Sequence, residues 1–330
     1  MSESLPSVTV IIAARPDQAE IKALPAVRAL DYPAEKLEIL IARGQQPSVQ
    51  RNAALRAARN ELIYFLDDDS VAPAGNLRRA VVHFRDPKVE IVGGPNLSPP
   101  DAPALEQVFA LVLGSVLAFG PSRARYTPVS SLRETGEKEL ILCNQLARRE
   151  TVLRHGGFNE TLYPNEENAL MDDIKKQGGK LLYDPELVVY RRPRGTLKAF
   201  RKMLRTYGRG RAEQFRVNPT FGSALNFVPP LFLVYLVGFP AVWAVTFLAG
   251  QQWLLGYYCL PLFFYAVAVL TQTLALIPRG GIVRSFCALP LIVLSHVLYG
   301  FGFWLGLFTN LKKTPAQAAA SVKIEQVKAM

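Results

Sequence analysis

Residues 62–70 read LIYFLDDDS, five apolar residues followed at once by Asp67, Asp68 and Asp69. An apolar run of this length, bounded by polar residues, reads as a β-strand with the carboxylates at its end. Working outward, further short runs rich in β-branched residues lie at 8–13, 38–42 and 89–93. Between them, residues 17–30, 48–59 and 76–85 carry helical patterns. Strands alternating with helices predict an α/β domain on a mostly parallel, Rossmann-like sheet. Ligands of such sheets sit at the carboxyl ends of the strands, so chemistry is sought after Ala13, Ala42 and Leu66.

Three adjacent carboxylates repel one another, and a divalent cation bound through hard oxygen ligands would compensate them. An exposed acidic turn that caps the next helix is the other reading of the same residues. A second acidic pair, Glu166-Glu167, follows a Gly156-Gly157-Phe158 turn and opens a helix running toward Gln177. On the residues alone it is either a catalytic pair or a pair of first-turn acids favoured by the helix dipole.

The chain has 330 residues, 50% hydrophobic and 20% charged, which excludes a disordered linker or tail. Its formal net charge is +11. No zinc-finger, RNP or helix-turn-helix pattern accompanies that charge, so the expected partner of the basic face is anionic lipid and not nucleic acid. Cys143, Cys259 and Cys287 offer no disulfide framework and no C-x-x-C metal site. His83, His155 and His296 are too scattered for a triad or a zinc site. The opening MSESLPSVTVIIAAR lacks a basic n-region and reads as a first strand, not a signal peptide.

The rear of the chain is of a different kind. Residues 104–119 form an apolar stretch with one acid, short of the roughly 20 residues needed to span a bilayer. It is either a core helix of the globular domain or a helix that touches lipid beside the acceptor site. Residues 191–216 then hold ten Lys or Arg and one Glu, with Lys198, Arg201 or Lys202, Arg205 and Arg209 at three- and four-residue steps. This predicts a basic amphipathic helix on the membrane surface. Residues 226–311 contain no Asp or Glu and only Arg279 and Arg284. Three apolar windows follow, near 227–249, 253–277 and 286–308, each long enough to cross. Pro229, Pro230 and Pro240 mark the first as the one expected to break. The positive-inside rule sets Arg279, Arg284 and the N-terminal domain in the cytoplasm. Three full crossings would then leave Lys312 and Lys313 outside, so either the tail is an exception or one window is re-entrant. The expected division is 1–190 catalytic, 191–225 basic helix, 226–311 transmembrane in about three segments, and 312–330 tail.

The opening VTVIIAAR, the segments PSVQRNAALRAARNELIYFLDDDS and CNQLARRETVLRHGGFNETLYPNEENAL, and the basic helix before apolar segments resemble a membrane-attached family 2 glycosyltransferase. That family is inverting and of GT-A fold. Within it the chain is most similar to bacterial succinoglycan-type glucosyltransferases that extend lipid-linked saccharides. The resemblance implies a multi-pass protein of the bacterial inner membrane with its catalytic domain facing the cytoplasm. It makes Asp67-Asp68-Asp69 the D-x-D motif, with Asp69 and Asp67 as ligands of Mg²⁺ or Mn²⁺ and Asp67 and Asp68 at the donor. It makes Glu167 the general base, with Glu166 beside it. Glu167 stands where Asp is commoner, which lengthens the side chain by one methylene. The implied reaction moves a hexose from a nucleotide-sugar, by kinship UDP-linked, to a hydroxyl of a polyprenyl-linked saccharide in polysaccharide biosynthesis.

Two departures bear on that implication. The family often ends its second strand in Asp-Asp-Gly-Ser, whose first acid meets the uracil; here stand Ala42-Arg43-Gly44-Gln45. Ala13, Arg15 and Asp17 after the first strand, with Arg51, are the remaining candidates for the donor. No Q-x-x-R-W box follows, which disfavours an extruding polymer synthase. Arg205, Arg209 and Arg211 either hold donor or lipid phosphates as guanidinium forks or simply face the membrane. Polyprenyl phosphate or another lipid as acceptor, and a catalytically inactive membrane scaffold, are the competing readings.

Overall fold

A computed structural model describes residues 5–162, 164–219, 221–311 and 321–329. In chain order its elements are β1 (Val8–Ala14), α1 (Ala23–Arg28), β2 (Leu37–Arg43), α2 (Pro47–Ala57), β3 (Leu62–Asp67), α3 (Asn76–Val82), β4 (Val89–Gly93) and β5 (Asn96–Leu97). There follow α4 (Ala104–Leu113), α5 (Val116–Phe119), β6 (Arg133–Glu134), β7 (Asn144–Arg148), α6 (Arg149–Arg154), α7 (Glu166–Lys176), β8 (Lys180–Tyr183) and β9 (Val189–Tyr190). The last are α8 (Leu197–Val217), α9 (Val228–Leu248), α10 (Trp253–Phe308) and β10 (Lys323–Val327).

The chain forms two compact units, one of residues 1–100, 121–192 and 311–330, the other of residues 101–120 and 193–310. The first unit is an eight-stranded mixed sheet in the order β10-β2-β1-β3-β7-β4-β8-β6, with β5 and β9 paired apart. Strands β2, β1 and β3 run parallel, with Ala13 opposite Asp67. Strand β7 enters antiparallel between β3 and β4. The run LIYFL is continuous because both faces of β3 are covered. Leu62, Tyr64 and Leu66 belong to one apolar cluster, and Ile63 and Phe65 to the other. Each fully buried side chain of this size contributes about 1.5–3 kcal/mol. That holds the carboxyl end of β3, and with it the acidic triplet, in place.

Two expectations need correction here. The helix expected over 17–30 is only α1, Ala23–Arg28, because Pro25 tolerates no place beyond a first turn. Residues 17–22 are instead a loop above the ends of β1 and β2. The stretch after residue 312 is also more than a tail: β10 pairs antiparallel with β2, Lys323 opposite Arg43 and Val327 opposite Ile39. Val322 and Ile324 pack against one core cluster and Val327 against the other. Lys312 and Lys313 lie outside the described residues.

The second unit is helical. Residues 104–119 break at Gly114-Ser115, where the Ser115 hydroxyl accepts from the Ala118 amide, and Phe109 stacks on Phe200 of α8 at 4.2 Å. Helices α8 and α10 touch through glycine: a Cβ at Gly208 would come within 2.0 Å of the Tyr299 carbonyl oxygen, and one at Gly302 within 2.0 Å of that of Arg205. Pro229 and Pro230 sit in the first turn of α9, where no amide donor is needed, and the helix continues through Pro240. Helix α10 leaves helical geometry at Gly281, φ 74°, between the second and third apolar windows, where the sequence separates them. At 21 residues α9 is about 31 Å long, the thickness of a hydrocarbon core. Helices α9 and α10 are both long and apolar enough to cross a membrane.

Candidate active site

Helix α2 begins with Pro47 at its first turn and buries Ser48, Val49, Gln50, Arg51 and Asn52. These last three polar residues each reach a different part of the sheet unit. The Gln50 amide donates to the carbonyls of Ala14 and Ala42 at 2.7 and 2.6 Å, joining the ends of β1 and β2. Asn52 donates to the Phe158 carbonyl and to Glu160, and accepts from the Phe158 amide at 2.8 Å. That clamp needs the glycine turn: Gly157 has φ +77°, and a Cβ there would meet the Asn52 Oδ1 at 2.5 Å. Arg51 donates to Asp67 Oδ1 at 2.9 Å and to Glu166 Oε1 at 3.0 Å.

Arg51 thus draws together two acidic groups that lie a hundred residues apart in the chain. Its side chain is 9% exposed and that of Glu166 3%. Removing one partner of such a buried pair costs about 3–5 kcal/mol, because the other charge is left uncompensated. Burial, helped by the neighbouring Glu167 carboxylate, pushes the Glu166 carboxyl up against the pull of Arg51. Its Oε2 has no hydrogen-bond partner among the described residues. Glu167 next to it is half-buried. The turn before α7 is fixed by Asn165 at φ 95°, whose side chain accepts from Asn168, while Arg125 donates to Asn168.

The triplet itself is held from two sides. Arg191, just beyond β9, donates to Asp67 Oδ2 at 2.8 Å and to Asp69 Oδ1 at 2.5 Å. Burial works against its charge, but the two carboxylates outweigh it and Arg191 stays protonated. Burial also raises the Asp69 carboxyl, with Arg191 pulling it back. Asp68 accepts from the Gln18 amide at 2.5 Å. Cys143 lies under this group, its thiol pushed up to about 12 by burial and then by Asp67, which makes it no nucleophile.

Asp67 and Asp69 are hard oxygen donors of the kind Mg²⁺ and Mn²⁺ take, and such sites use only one or two carboxylates, completed by substrate phosphates. Among the described residues no three His, Cys, Asp or Glu side chains converge on one metal position. By donor chemistry the two carboxylates suit such a cation, and Arg191 balances the same oxygens.

The remaining candidates are placed as follows. Ala13 stands at the end of β1 opposite Asp67. Arg15 is exposed, and its carbonyl accepts from Arg43. Asp17, also exposed, lines an open cavity of about 380 Å³ with Pro16, Gln18, Arg43, Lys323 and Glu325. In the helical unit Arg205 is exposed, Arg209 pairs with buried Glu213 at 3.2 Å, and Arg211 is buried and donates to Gln214. Sequence reasoning missed Gln18, Arg191 and the pair Lys323 and Glu325. For the last two a signal exists: Val322 to Val327, VKIEQV, begins with the apolar-polar alternation of a strand.

A family model described as "Glycosyltransferase like family 2" matches residues 2–209. The pre-mycofactocin glycosyltransferases of two Mycobacterium tuberculosis strains, CDC 1551 / Oshkosh and ATCC 25618 / H37Rv, are each 28% identical over 158 residues, 43% of this chain. The match covers 29% of the length of those curated relatives. Among solved structures, the mannosyltransferase PcManGT from Pyrobaculum calidifontis, in complex with GDP-Man and Mn²⁺, superposes with a TM-score of 0.56 at 18% identity. The match covers 93% of this chain and 88% of that one, and shows a common GT-A-like fold.

Proposed function

The chain belongs to the glycosyltransferase-like family 2, and from that premise we propose that its sheet unit transfers a hexose from a nucleoside diphosphate sugar to a hydroxyl of a lipid-linked saccharide. The observation that carries this reading is Arg51, which holds Asp67 and Glu166 at one place beside the strand ends. A donor-side acid cluster and an acceptor-side acid cluster so joined are what an in-line displacement requires.

Asp67 and Asp69 would hold Mg²⁺ or Mn²⁺, and the ion would neutralise charge developing on the leaving diphosphate. Arg191 then turns from Asp69 to a phosphate oxygen, for which its fork is equally suited. Glu167 accepts the proton of the acceptor hydroxyl as that oxygen attacks the anomeric carbon. The bond from that carbon to the diphosphate oxygen breaks in the same step, so an α-linked donor gives a β-linkage. Glu166 positions Arg51 and, through it, Asp67.

We place the protein in a membrane through α9 and α10, with exposed Arg205 of α8 meeting lipid phosphates. Because β10 shares a sheet with β1 to β3, the proposed crossings between them are even in number. On this reading one of the three apolar windows does not cross. A reporter at residue 329 and one at residue 5 should answer from the same, cytoplasmic side; answers from opposite sides would refute the topology.

The donor reading is tested by thermal stabilisation of the detergent-purified full chain with UDP-, GDP-, CDP- and dTDP-sugars, each with and without Mn²⁺. A metal-dependent shift with one nucleotide is expected. No shift across the panel would sink the reading in favour of an inactive scaffold.

A further inference from the structure

Strand β2 ends in Arg43, and a carboxylate is present beside it. It comes from the far end of the chain. Glu325 of β10 accepts from Arg43 Nε at 2.9 Å, and Lys323 of the same strand lies 3.8 Å from Glu325. These two residues, with Arg43, Asp17 and Gln18, line the cavity of about 380 Å³. That volume is within the roughly 300–1,000 Å³ typical of small-molecule sites.

The charges of the lining decide what fits. Two acids, Asp17 and Glu325, face two bases, Arg43 and Lys323, so the cavity has no net attraction for a polyanion. It suits a neutral heterocycle with both donor and acceptor edges, and a ribose diol. The cavity is also joined to the acidic triplet through one residue. Gln18 accepts from Arg43 NH1 through its carbonyl at 2.6 Å and donates to Asp68 through its amide at 2.5 Å. In the sheet order β2-β1-β3 the two places are two strand spacings apart, about 10 Å. This is the reach of one nucleotide from base to diphosphate.

We infer that β10 supplies the outer wall of the nucleoside subsite, and that Lys323 and Glu325 are specificity-determining residues for the donor base. The inference rests on the donor reading above and adds to it: the strand that follows the apolar helices completes the pocket for the nucleoside. Glu325 supplies the carboxylate of that wall and takes its orientation from Arg43.

The test uses the full chain in detergent with Mn²⁺, comparing dissociation constants for UDP, GDP, CDP and dTDP with that for inorganic pyrophosphate. Two variants are needed: Glu325→Gln, which removes the charge, and Ser321→Trp, which adds bulk at an exposed residue that also lines the cavity. Both should weaken the preferred nucleoside diphosphate at least tenfold and leave pyrophosphate within twofold. Unchanged nucleotide affinity in both variants, with wild type binding, would overturn the role of β10 and spare the donor site. Equal loss of nucleotide and pyrophosphate would also overturn it, since the effect would not belong to the nucleoside. If wild type bound none of the nucleotides, the donor reading itself would fall.

Discussion

Two sets of arginines in this molecule have the same chemistry and opposite circumstances. In the sheet unit Arg51 and Arg191 each face two carboxylates, so that Asp67, Asp69 and Glu166 are bound into one charged group. In the helical unit Arg209 and Arg211 spend their forks on Glu213 and Gln214 of their own helix, one turn away. Density of basic residues made the second set conspicuous in the sequence. What a guanidinium does, however, is set by what the fold places opposite it: the first set faces carboxylates brought together from separate parts of the chain.

That contrast can be broken most forcefully at the acids. Glu167→Gln should lower turnover about 10²–10⁴-fold, the usual worth of a positioned general base. Asp69→Ala should lower it as severely and abolish the Mn²⁺-dependent rise in melting temperature. Either variant with near-normal transfer would dissolve its assigned role. Next in size, Arg51→Met should destabilise the protein by about 3–5 kcal/mol, since Glu166 and Asp67 lose their counterion. Adding Glu166→Gln should recover part of that loss in denaturant melts, whereas strict additivity would mean that the two do not form a unit. Arg191→Ala should lower the melting temperature without metal and enlarge the shift Mn²⁺ produces, because a competitor for Asp69 is gone.

A pH effect sharpens the same comparison. Burial holds the folded-state value of the Glu166 carboxyl above its unfolded value. The folded state therefore binds the extra proton between these values, and stability falls as pH rises through that window. Melting curves from pH 5 to 8 should decline for wild type and flatten for Glu166→Gln; parallel curves would contradict a buried, burial-raised carboxyl. The smallest effect belongs to α8. Arg205→Ala should weaken binding to anionic vesicles by about the 1 kcal/mol of one surface cation and leave nucleotide affinity unchanged.

Much of the sheet unit was legible because its information is local. The apolar runs of β1 to β4 bury both faces and so show no ambiguity of period, and Asp67 to Asp69 and Glu166-Glu167 stand where strand and turn end. Arg51 was legible as a candidate, though not as the link between the clusters. What could not be read is what depends on pairing across the chain. Arg191 meets Asp69 across 122 residues, and Glu325 meets Arg43 across 282. Neither residue differs locally from a surface charge. The helical unit deceived in another way. Prolines suggested a break in the first apolar window, but two of them sit where a helix has no amide to lose, while the kink of α10 at Gly281 falls between the second and third windows.

The most direct measurement is sugar transfer by the full chain from the nucleotide-sugar that stabilises it, with Mn²⁺ and a lipid extract as acceptor source, in wild type, Asp69→Ala and Glu167→Gln. Metal-dependent formation of a β-linked glycolipid by wild type, lost in both variants while each still melts cooperatively, is the expected result. Transfer that survives in either variant, or that gives an α-linkage, would contradict a single displacement run between the two acid clusters.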